Sequence, residues 1–197
     1  IPTDIKALGV DLLSVAGHKL YAPKGVGALY VRPPLAPIKF CYGAGQEDGW
    51  RAGTENVLEI VGLGKACELA RLGLEKHMTH MQALRDRLFN GLAAKIRDTR
   101  LNGHPENRLP NTLSMAFKGV EAHRLLENID RDVAASAGAA CHADTVEISH
   151  VLKAMGLPID WARGTVRFSL GRMTTEGEIE KVIPLVAAAV DRLRASR

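Results

Sequence analysis

The chain has 197 residues, 46% hydrophobic and 24% charged, which is enough apolar material for a core in one or two domains. Its formal net charge of +4 comes from basic residues interleaved with acids, and aromatics make up only 5%. That excludes the charged stripe with stacking rings expected of a nucleic-acid binder, and no apolar run approaches the roughly 20 residues of a membrane-spanning helix.

In chain order, residues 10–15 form a short apolar run that predicts a buried strand ending at Gly17-His18-Lys19. After the turn-rich residues 22–27, residues 28–31 predict a second strand, stopped by Pro33-Pro34. Residues 39–54 are rich in glycine and lack periodicity, so they read as a loop. Helical spacing follows. Val57, Ile60, Val61 and Gly64 open one helix, and Met78, Met81, Leu84, Leu88, Leu92 and Ile96 line a second, long amphipathic one. The break expected between them, at residues 72–76, sets a domain boundary, with domains 1–74 and 75–197.

Beyond Asn102-Gly103, Leu113, Met115 and Phe117 alternate with Thr112, Ser114 and Ala116, the pattern of a half-buried strand. Residues 121–129 predict a helix and residues 133–136 a short strand. Ser149 is suited to cap a helix that runs to Met155 and stops at Gly156. Val166, Phe168 and Leu170 alternate with Arg167 and Ser169, which turns Arg167 away from the core. The last helix opens with a capping box, Thr175 and Glu178, and turns Ile179, Val182, Ile183, Val186, Val190 and Leu193 inward. The class is therefore α/β with an α+β second half.

Four places carry chemistry. Lys19 lies past the carboxyl end of a strand, where ligands collect in open α/β sheets, with His18 before it and glycines on either side. Thr54 precedes a helix start, a position suited to an anion or to simple capping. Cys141 sits among small residues, Ala135-Ser136-Ala137-Gly138-Ala139-Ala140, as an accessible nucleophile would. Arg167 offers a planar fork that can grip a carboxylate. Cys41 and Cys67 lack such a setting and read as structural. With Cys141 they make neither a disulfide framework nor a CxxC metal knuckle, so a reducing, cytoplasmic setting is expected. His77 and His80 have a spacing that can bind metal but read as a solvated helix face, so no metal site is expected.

These segments resemble the cysteine desulfurase and selenocysteine lyase family, class-V aminotransferase-like enzymes of fold-type I. The matching blocks are Ala16-Gly17-His18-Lys19 with the Gly25-Val26-Gly27-Ala28-Leu29-Tyr30-Val31 strand, then Gly43-Ala44-Gly45-Gln46-Glu47 with Arg51-Ala52-Gly53-Thr54. The Cys141 loop and Val166-Arg167-Phe168-Ser169-Leu170-Gly171-Arg172 complete the set, in family order. The resemblance implies the end of a pyridoxal-phosphate-binding large domain with a mostly parallel sheet, followed by a small α+β domain. It implies that Lys19 holds pyridoxal 5′-phosphate as a Schiff base, with His18 beside it. Thr54 would reach the cofactor phosphate of a partner subunit in a homodimer, Cys141 would form a persulfide, and Arg167 would bind the substrate α-carboxylate. The family often has Ser where this chain has Ala16, so a phosphate contact is lost or replaced here.

The implied activity is release of sulfur from L-cysteine as an enzyme persulfide plus L-alanine, with delivery to an acceptor protein as in iron–sulfur cluster assembly. The Ala139-Ala140-Cys141-His142 wording is closer to selenocysteine lyases, so L-selenocysteine is the alternative substrate. A non-catalytic module or another class-V enzyme is the rival reading. The family also uses a ring-stacking His and an Asp at the pyridine nitrogen, both earlier than the lysine. The chain, which opens on Ile1, is thus expected to be part of a longer protein and to show little activity alone.

Overall fold

In the computed structural model, residues 1–142 and 145–196 are described, without the side chains of residues 139–142 and 145–147. The chain divides into two units, Ile1–Leu74 and Glu75–Arg197.

The first unit opens with a short helix, α1 (Ile5–Leu8). Asp4 caps it by accepting from the Lys6 and Ala7 amides at 2.8 Å, and Gly9 closes it in the left-handed region. Strand β1 (Leu12–Ala16) follows, then a 3-10 turn (Gly17–Leu20) and strand β2 (Gly27–Val31). The two strands pair antiparallel, from Leu12 opposite Val31 to Ala16 opposite Gly27. Parallel pairing in this unit is limited, among the described residues, to an isolated bridge between Cys41 and Arg51. The expected burial of β1 is not observed either, since Leu12 and Leu29 are 53% and 57% exposed. A two-stranded ribbon has no second layer to cover it, so apolar residues on it stay in solvent.

Helix α2 (Val57–Lys95) is one continuous element of 39 residues, about 58 Å long at 1.5 Å per residue. The break expected at residues 72–76 is therefore corrected. Leu72, Leu74, Glu75 and Lys76 are good helix formers, and a single glycine, Gly73, costs about 1 kcal/mol without breaking the hydrogen-bond ladder as proline would. In the first unit the helix buries Leu63 and Ala66, while Val57, Ile60 and Val61 are exposed.

The second unit is built on strands β3 (Thr99–Leu101), β4 (Thr112–Phe117), β5 (Ser136–Ala137) and β8 (Thr165–Ser169). They form one antiparallel sheet in the order β3-β4-β8-β5. Helices α3 (Ala122–Ile129) and α6 (Glu176–Ala195) join the second half of α2 in covering one face. Leu113, Met115 and Phe117 of β4 and Val166 and Phe168 of β8 point into that core with Leu84, Leu88, Leu92, Leu125 and Val190. The alternation read from sequence is thus the alternation observed, whereas β5 is shorter than expected. Strands β6 (Ala139–His142) and β7 (Thr145–Ile148) form a separate antiparallel ribbon. Two short helices, α4 (His150–Ala154) and α5 (Ile159–Ala162), lead from it into β8. Ser149 caps α4 by accepting from the Val151 amide at 3.2 Å, and Gly156 follows at φ 66°.

The capping box of α6 is complete. The Glu178 amide donates to Thr175 Oγ1 at 3.3 Å, while the Thr175 amide and hydroxyl donate to Glu178 Oε2 at 2.7 and 2.9 Å. These bonds, the backbone one foremost, hold the Glu178 carboxyl below the usual carboxylate range. A depressed carboxylate stabilises the fold at neutral pH, and that contribution is lost as pH falls through the folded-state value. Thr175→Ala is expected to cost about 1 kcal/mol at neutral pH, as loss of a cap does. It should also reduce the dependence of stability on pH in the acid range, which urea unfolding at neutral and acid pH would measure.

Candidate active site

Lys19 is presented by the 3-10 turn at the carboxyl end of β1. The turn is fixed at both ends: the Gly17 amide donates to the Val26 carbonyl at 2.9 Å, and the Ala22 amide donates to the Gly17 carbonyl at 3.1 Å. Gly17 is buried, and a Cβ there would stand 2.7 Å from Val26 O, so the close approach of the two backbones requires glycine. Tyr21 closes the turn in the left-handed region at φ 63°. On this support His18 and Lys19 are both exposed, and neither side chain has a hydrogen bond or ion pair among the described residues. An exposed amine held by a rigid backbone is what a covalent anchor needs.

The start of α2 lies beside the turn that follows Lys19. A Cβ on Gly25 would meet Glu59 Oε2 at 3.0 Å, and one on Gly62 would meet Pro23 Cδ at 2.9 Å. Thr54, three residues before α2, is exposed, and its hydroxyl is uncommitted among the described residues. It is not the helix cap. Asn56 takes that place, with Oδ1 3.5 Å from the Glu59 amide and its carbonyl accepting from Ile60 at 3.0 Å. The capping alternative for Thr54 is corrected, because the helix begins two residues later than that role requires.

Arg167 lies on β8, between two other strands of the sheet. Its register partners are Ser114 on β4 and Ser136 on β5, and its Nη2 donates to Ser136 Oγ at 3.4 Å. It is exposed on the face opposite the core. Two residues earlier on that same face Thr165 is only 1% exposed, so the sheet opens to solvent between Thr165 and Arg167. Ser114 is already engaged, accepting from Asn102 Nδ2 at 3.2 Å.

Cys141 belongs to β6, opposite Val146 of β7, and its side chain lies outside those described. The root of the ribbon is well defined. The Gly138 amide donates to the Thr165 carbonyl at 2.7 Å, and the Ser149 amide donates to the Gly138 carbonyl at 3.2 Å. A Cβ on Gly138 would stand 2.7 Å from Thr165 Cγ2 and 3.0 Å from Leu152 Cδ1, so only glycine lets the chain cross so near β8. Sequence patterning does not single out Gly138 and Ser136 as site elements. The only signal for them was their place between a strand and the cysteine.

Two lesser expectations change. Cys41 and Cys67 are both exposed rather than packed inside, because Cys41 lies in the open loop bridged to Arg51 and Cys67 on an uncovered face of α2. His77 and His80 are half-buried rather than solvated, and His80 Nε2 lies 2.8 Å from the Thr174 carbonyl, an attachment that joins α2 to the start of α6. Among the described residues no three metal-ligating side chains are gathered, and no helix is long and apolar enough to cross a membrane.

The profile of the Aminotransferase class-V family matches residues 1–182. The chain belongs to the class-V aminotransferase family. Among its relatives, cysteine desulfurase 2 of Trichormus variabilis is 47% identical over 196 residues, covering 99% of this chain and 49% of that protein. The solved NifS-like protein of Rickettsia africae superposes with a TM-score of 0.87 at 31% identity, covering 97% of this chain and 50% of the other. A structure titled SspA in complex with cysteine gives a TM-score of 0.62 at 32% identity, covering 87% of this chain and 47% of the other. This class-V chain thus spans about half the length of the curated relatives it matches, and over that span it shares the mixed α/β fold of the solved NifS-like protein.

Proposed function

We propose that the protein to which this class-V chain belongs is a pyridoxal-phosphate-dependent cysteine desulfurase acting on L-cysteine. The observation that carries this reading is Lys19, an exposed amine without a side-chain partner among the described residues, on a rigid turn at a strand's carboxyl end, within a chain 47% identical to a cysteine desulfurase over nearly its whole length. The solved relative titled as a complex with cysteine supports the choice of substrate.

The residues fit the cofactor by their chemistry. Lys19 supplies the amine that anchors it, His18 is the adjacent imidazole, and the exposed hydroxyl of Thr54 suits its phosphate, in a homodimer that of the partner subunit. When bound, pyridoxal phosphate supplies the electron sink that makes the substrate Cα–H acidic. Lys19, once released by the incoming substrate amine, is the base that moves the Cα proton. Arg167 receives the α-carboxylate in its fork and orients the substrate. The Cys141 thiolate attacks the substrate sulfur: an S–S bond forms, the Cβ–S bond breaks, and its electron pair stays on the carbon, which is protonated. Enzyme thiol and L-cysteine become enzyme persulfide and L-alanine, with no external oxidant. The persulfide sulfur then passes to an acceptor protein, which suits a role in iron–sulfur cluster assembly. A reducing, cytoplasm-like compartment suits exposed thiols at Cys41 and Cys67.

The test is the complete protein with pyridoxal phosphate, L-cysteine and a thiol reductant, scored for sulfide and alanine. Cys141→Ser is expected to lower sulfide release at least about 100-fold, since a hydroxyl is a far weaker nucleophile toward sulfur. A normal sulfide yield from that variant would defeat the persulfide step. Selenide released from L-selenocysteine with sulfide unformed would replace the substrate assignment, and failure to yield alanine from either would favour a non-catalytic module.

A further inference from the structure

The sheet that carries Arg167 also determines how its guanidinium is held. Arg167 is flanked across the ladder by two serines, Ser114 on one side and Ser136 on the other. Small neighbours leave the space above the guanidinium open, as a carboxylate site needs. The two hydroxyls are not equivalent. Ser114 Oγ is bonded by the buried Asn102, whose amide also reaches Thr165 Oγ1 at 3.3 Å. Ser136 Oγ instead accepts from Arg167 Nη2 at 3.4 Å. That bond takes one N–H of the guanidinium and leaves its remaining donors for a carboxylate.

Ser136 also lies at the root of the thiol-bearing ribbon. Ser136 pairs with Arg167, Ala137 pairs with Val166, and the Gly138 amide bonds the Thr165 carbonyl. Three consecutive residues therefore register the ribbon on the strand of the carboxylate grip. We propose that Ser136 is a positioning residue, whose hydroxyl orients the Arg167 guanidinium to receive the substrate carboxylate. This rests on the assignment of Arg167 given above. It predicts an effect on substrate binding, because the carboxylate is gripped equally before and during the chemical step.

The test is steady-state kinetics of the complete enzyme with L-cysteine. Ser136→Ala is expected to raise KM roughly three- to tenfold with kcat little changed, the net contribution of a typical hydrogen bond. Ser136→Thr, which keeps the hydroxyl, should retain a KM near the parent's. In an Arg167→Ala background, Ser136→Ala should add nothing, because the two residues act as one unit. A parental KM in Ser136→Ala, a threonine variant as impaired as the alanine one, or a fall in kcat at constant KM would each overturn the proposal. If Arg167→Ala itself leaves KM unaltered, the carboxylate assignment fails and this proposal with it. If Arg167→Ala raises KM and Ser136→Ala does not, only the positioning role fails.

Discussion

On the role proposed for Lys19, replacing it by alanine in the complete enzyme should reduce desulfuration by roughly 1000-fold or more, since that role loses both anchoring and proton transfer. The informative companion is Lys19→Arg. Arginine preserves the positive charge on the same turn, but a guanidinium is not deprotonated in proteins and cannot serve as the nucleophilic amine or the base. If Lys19 served only to attract an anion, arginine would retain most of the activity. The covalent role predicts instead that both variants are inactive. It also predicts that borohydride treatment of the parent enzyme fixes the cofactor to the peptide containing Lys19, as mass spectrometry would detect. The turn itself should survive both changes, because it is held by backbone bonds of Gly17 and Ala22 and the lysine side chain is exposed.

The largest effect on stability is expected at Gly164, just before β8. A Cβ there would stand 2.0 Å from the Phe117 carbonyl oxygen and 2.9 Å from that of Val120. Both obstacles are backbone, so no rotamer change relieves them. Nor can the segments separate freely, because the Phe117 amide donates to the Gly164 carbonyl at 3.0 Å and Phe117 is fully buried. Gly164→Ala should therefore destabilise the second unit by about 3 kcal/mol, the upper range for overpacking, and lower Tm by roughly 10 °C. Gly177→Ala, in the first turn of α6 with nothing within 4 Å of the added methyl, is the control and should be neutral or slightly stabilising. Equal melting temperatures for the two variants would refute the clash.

The features legible in sequence are those decided within a few residues. The Thr175–Glu178 box, the Ser149 cap and the alternation around Phe117 and Phe168 all depend on neighbours at fixed short spacing. Arg167 could be turned outward for the same reason. What the sequence did not reveal depends on distant partners. Burial of β1 was inferred from apolar composition, but burial needs a covering layer, and Leu12 has none among the described residues. The continuity of α2 through Gly73 was missed because glycine weakens a helix without ending it. Thr54 and Asn56 both look like caps, and only the helix start separates them. The pairing of Ser136 with Arg167 joins residues 31 apart, which no local pattern encodes.

The β6–β7 ribbon works as a graduated arm. It is rooted at Gly138, and its two strands advance together by about 3.3 Å per residue. Lengthening both strands by two residues between the root and Cys141 would carry the cysteine some 6–7 Å farther while keeping it on the same face. Lengthening them by one would turn it to the other side. Reach and facing can thus be altered outside the sheet, with Arg167 and its support untouched.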